Sequence, residues 1–170
     1  MGILTMAAPE AIDVCDALSS AGVDLAASLP DTWLIGLITA LESDDRFTHL
    51  RVAREESAIA LCAGAFCGGR TGVAVMGTSG FMTCVYAITK ICTSYEIGVP
   101  IVMNLRGAVG DEATHHYGNA LYAGGVFDTL GIPRASINTT DDLHQIPALI
   151  RHSRLLKRPV AICLPKPGVK

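Results

Sequence analysis

Short runs of consecutive apolar residues alternate with helical segments along the whole chain, and this alternation constrains the fold more than any other feature. The predicted strands cover residues 24–29, 47–52, 71–76, 99–105, 134–137 and 160–164. Continuous Val, Ile and Ala runs are typical of a parallel sheet that is buried on both faces. The sequence therefore predicts an α/β fold, a three-layer doubly wound domain with about six mainly parallel strands, and it predicts a single domain over residues 1–170.

Six helices are predicted between these strands. They cover residues 9–20, 32–41, 54–67, 80–94, 119–130 and 141–153. Asp31 is placed to cap the second helix, and Pro147 predicts a kink or a later start in the last one. The third helix consists mostly of small residues, which a helix accepts where another backbone must approach closely.

The amino-acid composition limits the classes of protein to which the chain can belong. Half of the residues are hydrophobic and 17% are charged, so the chain is richer in apolar residues than an average soluble domain. No apolar run reaches the roughly 18–20 residues of a membrane-spanning helix, and Lys90 and Glu96 interrupt the longest candidate. The N-terminus also lacks the basic segment of a signal peptide. We therefore expect no membrane association and a second protein chain that covers the excess apolar surface.

Charge and cysteine content exclude further classes. The net charge is -3 without a basic run, which argues against nucleic acid as a partner. Six cysteines occur without a CxxC pair or a His/Cys spacing that suits a metal. We interpret them as small buried side chains in a reducing compartment. The expectation is a cytoplasmic protein without a metal site of its own.

Four segments follow predicted strand ends, namely residues 30–31, 53–56, 77–80 and 106–118. Ligands of parallel sheets gather where strands end, so we expect these segments to converge on one rim. The turn Gly77-Thr78-Ser79-Gly80 can present backbone amides to a ligand or to a facing subunit. It is not a nucleotide phosphate loop, because no Gly-Lys-Ser/Thr follows.

Each polar residue of the rim also has a purely structural interpretation. Glu56, in the first turn of a predicted helix, could stabilise the helix dipole or hydrogen-bond a protonated ring nitrogen of a cofactor. Asp31 could be a helix cap, and Arg106 could be a surface arginine or a cation for an anionic substrate. The pair His115-His116 could be solvated or could carry protons near neutral pH.

A set of short pieces, in order over about residues 10–165, resembles a known family. The pieces are Leu29-Pro30-Asp31, Arg54-Glu55-Glu56, Cys62-Ala63-Gly64-Ala65, Ser79-Gly80, Arg106-Gly107 and Leu130-Gly131-Ile132-Pro133. Together they are similar to the pyrimidine-binding domain of thiamine-diphosphate enzymes. The resemblance is strongest to the alpha subunit of sulfopyruvate decarboxylase and the matching half of phosphonopyruvate decarboxylase.

The resemblance assigns roles at the cofactor. Glu56 would be the catalytic carboxylate that hydrogen-bonds the N1′ nitrogen of the aminopyrimidine and activates the cofactor. Glu55, its neighbour, would point elsewhere on the helix. The turn formed by Gly77, Thr78, Ser79 and Gly80 would contribute to cofactor binding.

The resemblance also assigns roles at the substrate. His115 and His116 would assist proton transfer or aldehyde release. Pro30 and Asp31 would line the substrate side, and Arg106 would bind the anionic tail of a small 2-oxoacid.

The remaining half of a thiamine-diphosphate site is missing from the sequence. In that superfamily a second domain binds the diphosphate and Mg²⁺ through a Gly-Asp-Gly step followed by asparagines. Gly110-Asp111-Glu112 lacks the second glycine, and no Asn-Asn pair follows. We therefore expect a hetero-oligomer with a beta subunit that carries the diphosphate-binding domain.

The resemblance implies decarboxylation of sulfopyruvate to sulfoacetaldehyde and CO₂. Phosphonopyruvate decarboxylation and carboligation in the same superfamily remain alternatives. A non-catalytic regulatory or scaffold subunit is a further alternative, against which the retained Glu56 argues.

Overall fold

A six-stranded parallel sheet forms the centre of the chain in a computed structural model that describes residues 8–107 and 111–166. The strand order is β2-β1-β3-β4-β6-β5, and every neighbouring pair is parallel. The strands are β1 (Leu25–Ser28), β2 (Thr48–Arg51), β3 (Gly72–Met76), β4 (Pro100–Asn104), β5 (Arg134–Ser136) and β6 (Val160–Leu164).

Helices connect the strands, as the parallel arrangement requires. The α-helices are α1 (Ala11–Ser20), α2 (Ile35–Ser43), α3 (Glu55–Cys67), α4 (Thr78–Thr83), α5 (Val85–Ala87), α6 (Tyr117–Leu130) and α7 (Gln145–Leu156). A π-helical segment, Ile88–Thr93, continues α5, and two 3-10 turns, Thr114–His116 and Thr140–His144, precede α6 and α7.

Two hydrophobic cores cover the two faces of the sheet. In β3, Ala74 and Met76 pack in the core that contains α3, α4 and α6. Val73 and Val75 face the opposite core, which contains α1, α2 and α7. Because successive strand residues point to opposite faces, fully buried strands need apolar residues at every position. The structure thus confirms the three-layer α/β fold predicted from the sequence.

Three helix predictions are modified in the structure. The predicted helix over 80–94 is divided into α4, α5 and the π-helical segment. Two threonine hydroxyls near the divisions donate to backbone carbonyls of the preceding turn: Thr83 to Gly80 at 2.8 Å and Thr89 to Val85 at 3.0 Å. Such bonds compete with the regular helical pattern and bend helices.

The other two modifications concern helix starts. Pro147 lies in the first turn of α7, where the N–H it lacks would have no helical partner, so the predicted later start is confirmed. Asp31 caps the turn before α2, while Leu34 is the residue at the N-terminal boundary of the helix itself. Across the described part of the chain, no helix is both long enough and apolar enough to cross a bilayer.

Candidate functional site

The carboxyl ends of β1, β3 and β4 lie side by side in the sheet and carry the polar residues of the rim. Asp31 follows β1, Thr78 follows β3 and Arg106 follows β4. The Arg106 guanidinium donates to Asp31 and the Arg106 backbone N–H donates to the Thr78 hydroxyl, so the predicted convergence of these three segments is confirmed. Pro30 is exposed beside them.

Asp31 is the centre of the rim. Its Oδ1 atom accepts hydrogen bonds from the backbone N–H of Trp33 at 2.8 Å and from the Asn104 side-chain amide at 2.8 Å. Both of its oxygens accept from the Arg106 guanidinium at 2.8 Å. Only 13% of the Asp31 side chain and 12% of the Arg106 side chain are exposed, which makes this a largely desolvated ion pair.

Arg106 donates further hydrogen bonds within the described part of the chain, whereas its buried Nε atom has no hydrogen-bond partner there. Its Nη1 atom donates to Nε2 of His116 at 2.9 Å, and its Nη2 atom also donates to the Thr32 hydroxyl at 2.9 Å. The guanidinium carbon lies 4.9 Å from the centre of the Trp33 ring, in cation–π geometry. An anionic substrate group would therefore compete with Asp31 for this cation, and the predicted anion-binding role stays a prediction.

Asp111 holds the other side of His116. Its Oδ2 atom accepts from His116 Nδ1 at 2.8 Å and from the Gly107 N–H at 2.8 Å, and its Oδ1 accepts from the Ala113 N–H at 3.2 Å. Burial raises the pKa of this carboxyl, but the two backbone N–H groups and His116 outweigh burial and lower the pKa to about 2. Asp111 is therefore an anion at neutral pH.

The structure places the two histidines of the predicted pair in different surroundings. His116 is buried, while His115 is exposed and its ring centre lies 4.2 Å from that of His116. Gly107 lets the His116 backbone lie close to the end of β4, because it has a φ of +86° and a β carbon there would collide with the His116 carbonyl group. His116 thus belongs to the Asp31–Arg106 network, and His115 faces solvent at its edge.

Two adjacent carboxylates begin α3. Glu55 precedes the buried Ala58, Ile59 and Cys62 by three, four and seven residues, so it heads the buried stripe of the helix. A β carbon at Gly80 would lie 2.5 Å from Cγ and Cδ of Glu55, which places the Glu55 side chain directly against the start of α4.

Glu56, the carboxylate predicted from the sequence, lies at the edge of this stripe. Its side chain is 34% exposed, and its Oε2 atom is 3.7 Å from the exposed Arg54 Nε. Burial raises the pKa of the Cys84 thiol to about 12, with smaller increases from the charges of Glu56 and then Glu55. Both carboxylates therefore lie near the α4–α5 junction, and the assignment of Glu56 stays a prediction.

The turn 77–80 lies between Asp31 and Glu55 and contacts both side chains. A β carbon at Gly77 would stand 2.5 Å from the Asp31 carboxylate, so only glycine fits here without displacing Asp31. The Thr78 hydroxyl donates to the Asn104 carbonyl at 2.5 Å and accepts from the Arg106 N–H at 3.0 Å. Ser79 is exposed and Gly80 is buried against Glu55.

Four residues of the rim were missed by the sequence analysis. Trp33 and Asn104 carried no motif, and Asp111 was considered only as part of an incomplete diphosphate motif. Lys166, whose ammonium lies 5.5 Å from the Trp33 ring centre, follows the last strand and could have been found by the strand-end rule. Within residues 8–107 and 111–166, no three His, Cys, Asp or Glu side chains are arranged to hold a metal ion.

Comparison with known proteins gives relatives of two kinds, although no profile of a protein family matches the chain. The sulfopyruvate decarboxylase subunit alpha of Methanococcus maripaludis is 31% identical over 133 residues, which is 78% of this chain and 80% of that subunit. The phosphonopyruvate decarboxylase of Streptomyces viridochromogenes is 32% identical over 146 residues, which is 84% of this chain but only 36% of that enzyme.

A solved structure supports the fold independently. The 2-oxoglutarate:ferredoxin oxidoreductase of Magnetococcus marinus superposes with a TM-score of 0.67 at 13% identity, over 94% of this chain and 29% of that one. The sequence relatives confirm the resemblance that was predicted from the short pieces. The chain belongs to the family of sulfopyruvate decarboxylase alpha subunits and the matching part of phosphonopyruvate decarboxylases.

Proposed function

We propose that the chain is the pyrimidine-binding subunit of a split thiamine-diphosphate-dependent decarboxylase that converts sulfopyruvate to sulfoacetaldehyde and CO₂. The observation that carries the proposal is the match to 80% of a separately encoded alpha subunit. The same sequence matches only about a third of phosphonopyruvate decarboxylase. The chain thus matches most of a decarboxylase alpha subunit but only part of phosphonopyruvate decarboxylase, and phosphonopyruvate is the alternative substrate.

The rim fits the aminopyrimidine end of the cofactor. When bound, thiamine diphosphate supplies a nucleophilic carbon for the keto group and a positively charged ring that accepts the electron pair left behind by CO₂. The contribution of this chain is a carboxylate that holds a protonated ring nitrogen through a charge-assisted hydrogen bond. A half-buried carboxylate at the start of α3, against the glycine turn of α4, has the surroundings that this role needs.

The choice between Glu55 and Glu56 follows from the side of α3 on which each residue lies. The resemblance stated in the sequence analysis implied Glu56 for this role, whereas the geometry favours Glu55, which heads the buried stripe and contacts Gly80. A ring that occupied this corner would meet Glu55 on its sheltered side, while Glu56 is beside Arg54. We therefore propose Glu55 as the first choice and retain Glu56 as the competing assignment.

The substrate side is provided by the Asp31 network. The exposed His115 is placed to exchange a proton with a substrate at the rim, because it is not enclosed as His116 is. Arg106 would attract a sulfonate or phosphonate only to the extent that the anion competes with Asp31. Lys166 adds a second cation beside the Trp33 ring.

A partner chain would supply the diphosphate site and Mg²⁺. The outer faces of α3, α5 and α6 support this proposal. In α3 and α6, no charged residue occurs between residues 57 and 69 or between residues 117 and 127. Large apolar side chains are exposed there, namely Leu61, Tyr86, Tyr117, Leu121 and Tyr122. Exposed aromatic residues without surrounding charges are typical of protein interfaces.

Turnover measured with and without a partner tests the proposal. The chain is mixed with a chain that carries a diphosphate-binding domain, thiamine diphosphate and Mg²⁺, and sulfopyruvate and phosphonopyruvate are supplied separately. We expect aldehyde and CO₂ only in the complete mixture, and faster with sulfopyruvate. A product that joins two carbonyl compounds would show a carboligase instead, and a complex that binds cofactor without turning over either acid would indicate a scaffold subunit.

A further inference from the structure

Asp111 lies outside the predicted machinery, yet it is one of the most enclosed carboxylates of the rim. Its side chain is 5% exposed and that of His116 is 8% exposed. It accepts hydrogen bonds from two backbone N–H groups, those of Gly107 and Ala113, and from one imidazole nitrogen. These bonds hold Gly107, Ala113 and His116 around the Asp111 carboxylate, while His116 also contacts Arg106.

The hydrogen-bond partners determine the tautomer of His116. The Arg106 guanidinium has only donors, so the Nε2 atom of His116 must accept the 2.9 Å bond from it. The proton of the neutral ring then resides on Nδ1 and is donated to Asp111 at 2.8 Å. A proton on Nε2 would face the guanidinium N–H, so this arrangement holds His116 as an acceptor.

The same arrangement orients two groups on the substrate side, the Arg106 guanidinium and the His115 ring. His116 orients the guanidinium of Arg106, which also binds both oxygens of Asp31. On its other side, His116 supports the exposed ring of His115 at 4.2 Å between ring centres. A change at Asp111 is therefore transmitted to Arg106 and His115 through one imidazole ring.

We infer that Asp111 is a positioning residue that fixes His116 in its Nδ1–H form and thereby orients Arg106 and His115 at the rim. The tautomer rests on the structure alone, whereas its effect on turnover rests on the proposed decarboxylase function. Carboxylate–histidine pairs of this kind commonly set which ring nitrogen carries the proton.

The direct test is nitrogen NMR of the full chain labelled with ¹⁵N-histidine. The expected spectrum shows His116 protonated at Nδ1 and unprotonated at Nε2, and Asp111→Ala should move the proton toward Nε2. Asp111→Asn keeps an acceptor of the same size and should retain more of the Nδ1–H form. A His116 ring that carries its proton on Nε2 in the unmodified chain, or nitrogen shifts unchanged by Asp111→Ala, would overturn the inference.

A matched variant separates positioning from loop folding. Asp142 also accepts backbone hydrogen bonds in a turn, from Asn138 and Thr139, but it lies before α7 and away from the rim. Asp142→Ala should leave the His116 nitrogen shifts unchanged, and melting curves should show that both variants are folded.

Turnover gives the second readout. In the complete mixture we expect Asp111→Ala to lower kcat by about tenfold to a hundredfold with less than about threefold change in KM, and Asp111→Asn to recover part of the loss. Equal losses in the Asp111→Ala and Asp142→Ala variants would refute positioning. If the unmodified chain itself shows no turnover while the tautomer result holds, the proposed function fails and the assignment of Asp111 stands.

Discussion

At the scale of single residues, the sequence identified most polar groups of the rim but not their partners. Asp31, Thr78 and Arg106 could be found because each follows a strand end. That Arg106 binds Asp31, 75 positions away, could not be found, since pairing depends on the order of strands in the sheet. Asp111 and His116 are five positions apart, so their contact could have been considered from the sequence.

The carboxylate pair of α3 gives the first prediction. Glu55→Gln removes the charge that faces Gly80 and should lower kcat by about a hundredfold or more, whereas Glu56→Gln should change it by about threefold or less. Steady-state kinetics of the two variants in the complete mixture, with cofactor binding measured in parallel, checks this. The opposite order of effects would establish Glu56 as the activating carboxylate, as the resemblance in the sequence analysis implied.

The pKa of Asp111 leads to a prediction about acid stability. A carboxyl whose pKa falls from 3.8 to about 2 on folding stabilises the folded state fully above pH 3.8, and this contribution is lost as the pH falls toward 2. The difference in free energy of unfolding between the unmodified chain and Asp111→Asn should therefore be larger at pH 6 than at pH 2.5. Urea unfolding at both pH values measures it, and Asp45→Asn, at an exposed acid, is the control.

At the scale of elements, the positions of the strands along the chain and their parallel arrangement could be predicted, because burial on both faces leaves continuous apolar runs. The division of the helix over 80–94 could not, because its apolar spacing is that of an ordinary helix. The hydroxyl bonds of Thr83 and Thr89, and the packing that accommodates a π-helical turn, decide that division. Helix boundaries thus depended on side-chain bonds that the apolar pattern does not contain.

Glycines inside helices provide the prediction at this scale. At Gly124 in α6 a β carbon would meet nothing within 4 Å, so Gly124→Ala should raise the free energy of unfolding of the chain by about 0.5–1 kcal/mol. At Gly80 in α4 a β carbon would strike Glu55, so Gly80→Ala should destabilise the chain or displace that carboxylate. Denaturant unfolding of both variants tests the contrast, and equal effects would contradict it.

At the scale of the whole molecule, the two helical layers have different outer surfaces. The layer of α3, α5 and α6 exposes Leu61, Tyr86, Leu121 and Tyr122, whereas α7 on the opposite layer exposes Arg151 and Arg154 beside Leu155. The hydrophobic content of the chain as a whole indicated a partner, but only the fold shows that these exposed apolar side chains of α3, α5 and α6 lie on the same layer. The layer of α3, α5 and α6 is also the one that contains Glu55 and Gly80.

This asymmetry predicts which surface the partner chain covers. Leu121 in α6 is 56% exposed and Leu155 in α7 is 75% exposed, so the two leucines form a matched pair on opposite layers. Leu121→Asp should weaken association with the partner by about tenfold or more, because a charge would be buried at an apolar contact. Leu155→Asp should leave association unchanged, because its surroundings are already charged and solvated.

Titration of each variant into the partner chain by calorimetry measures the two affinities, and melting curves confirm that both variants are folded. Equal affinities for the two variants would show that the α3–α5–α6 face is not the docking surface. A larger loss with Leu155→Asp would instead place the partner on the α1–α2–α7 layer, far from Glu55. In that case a cofactor bound by the partner would lie out of reach of Glu55. The proposal of an active site between the two chains would then fail.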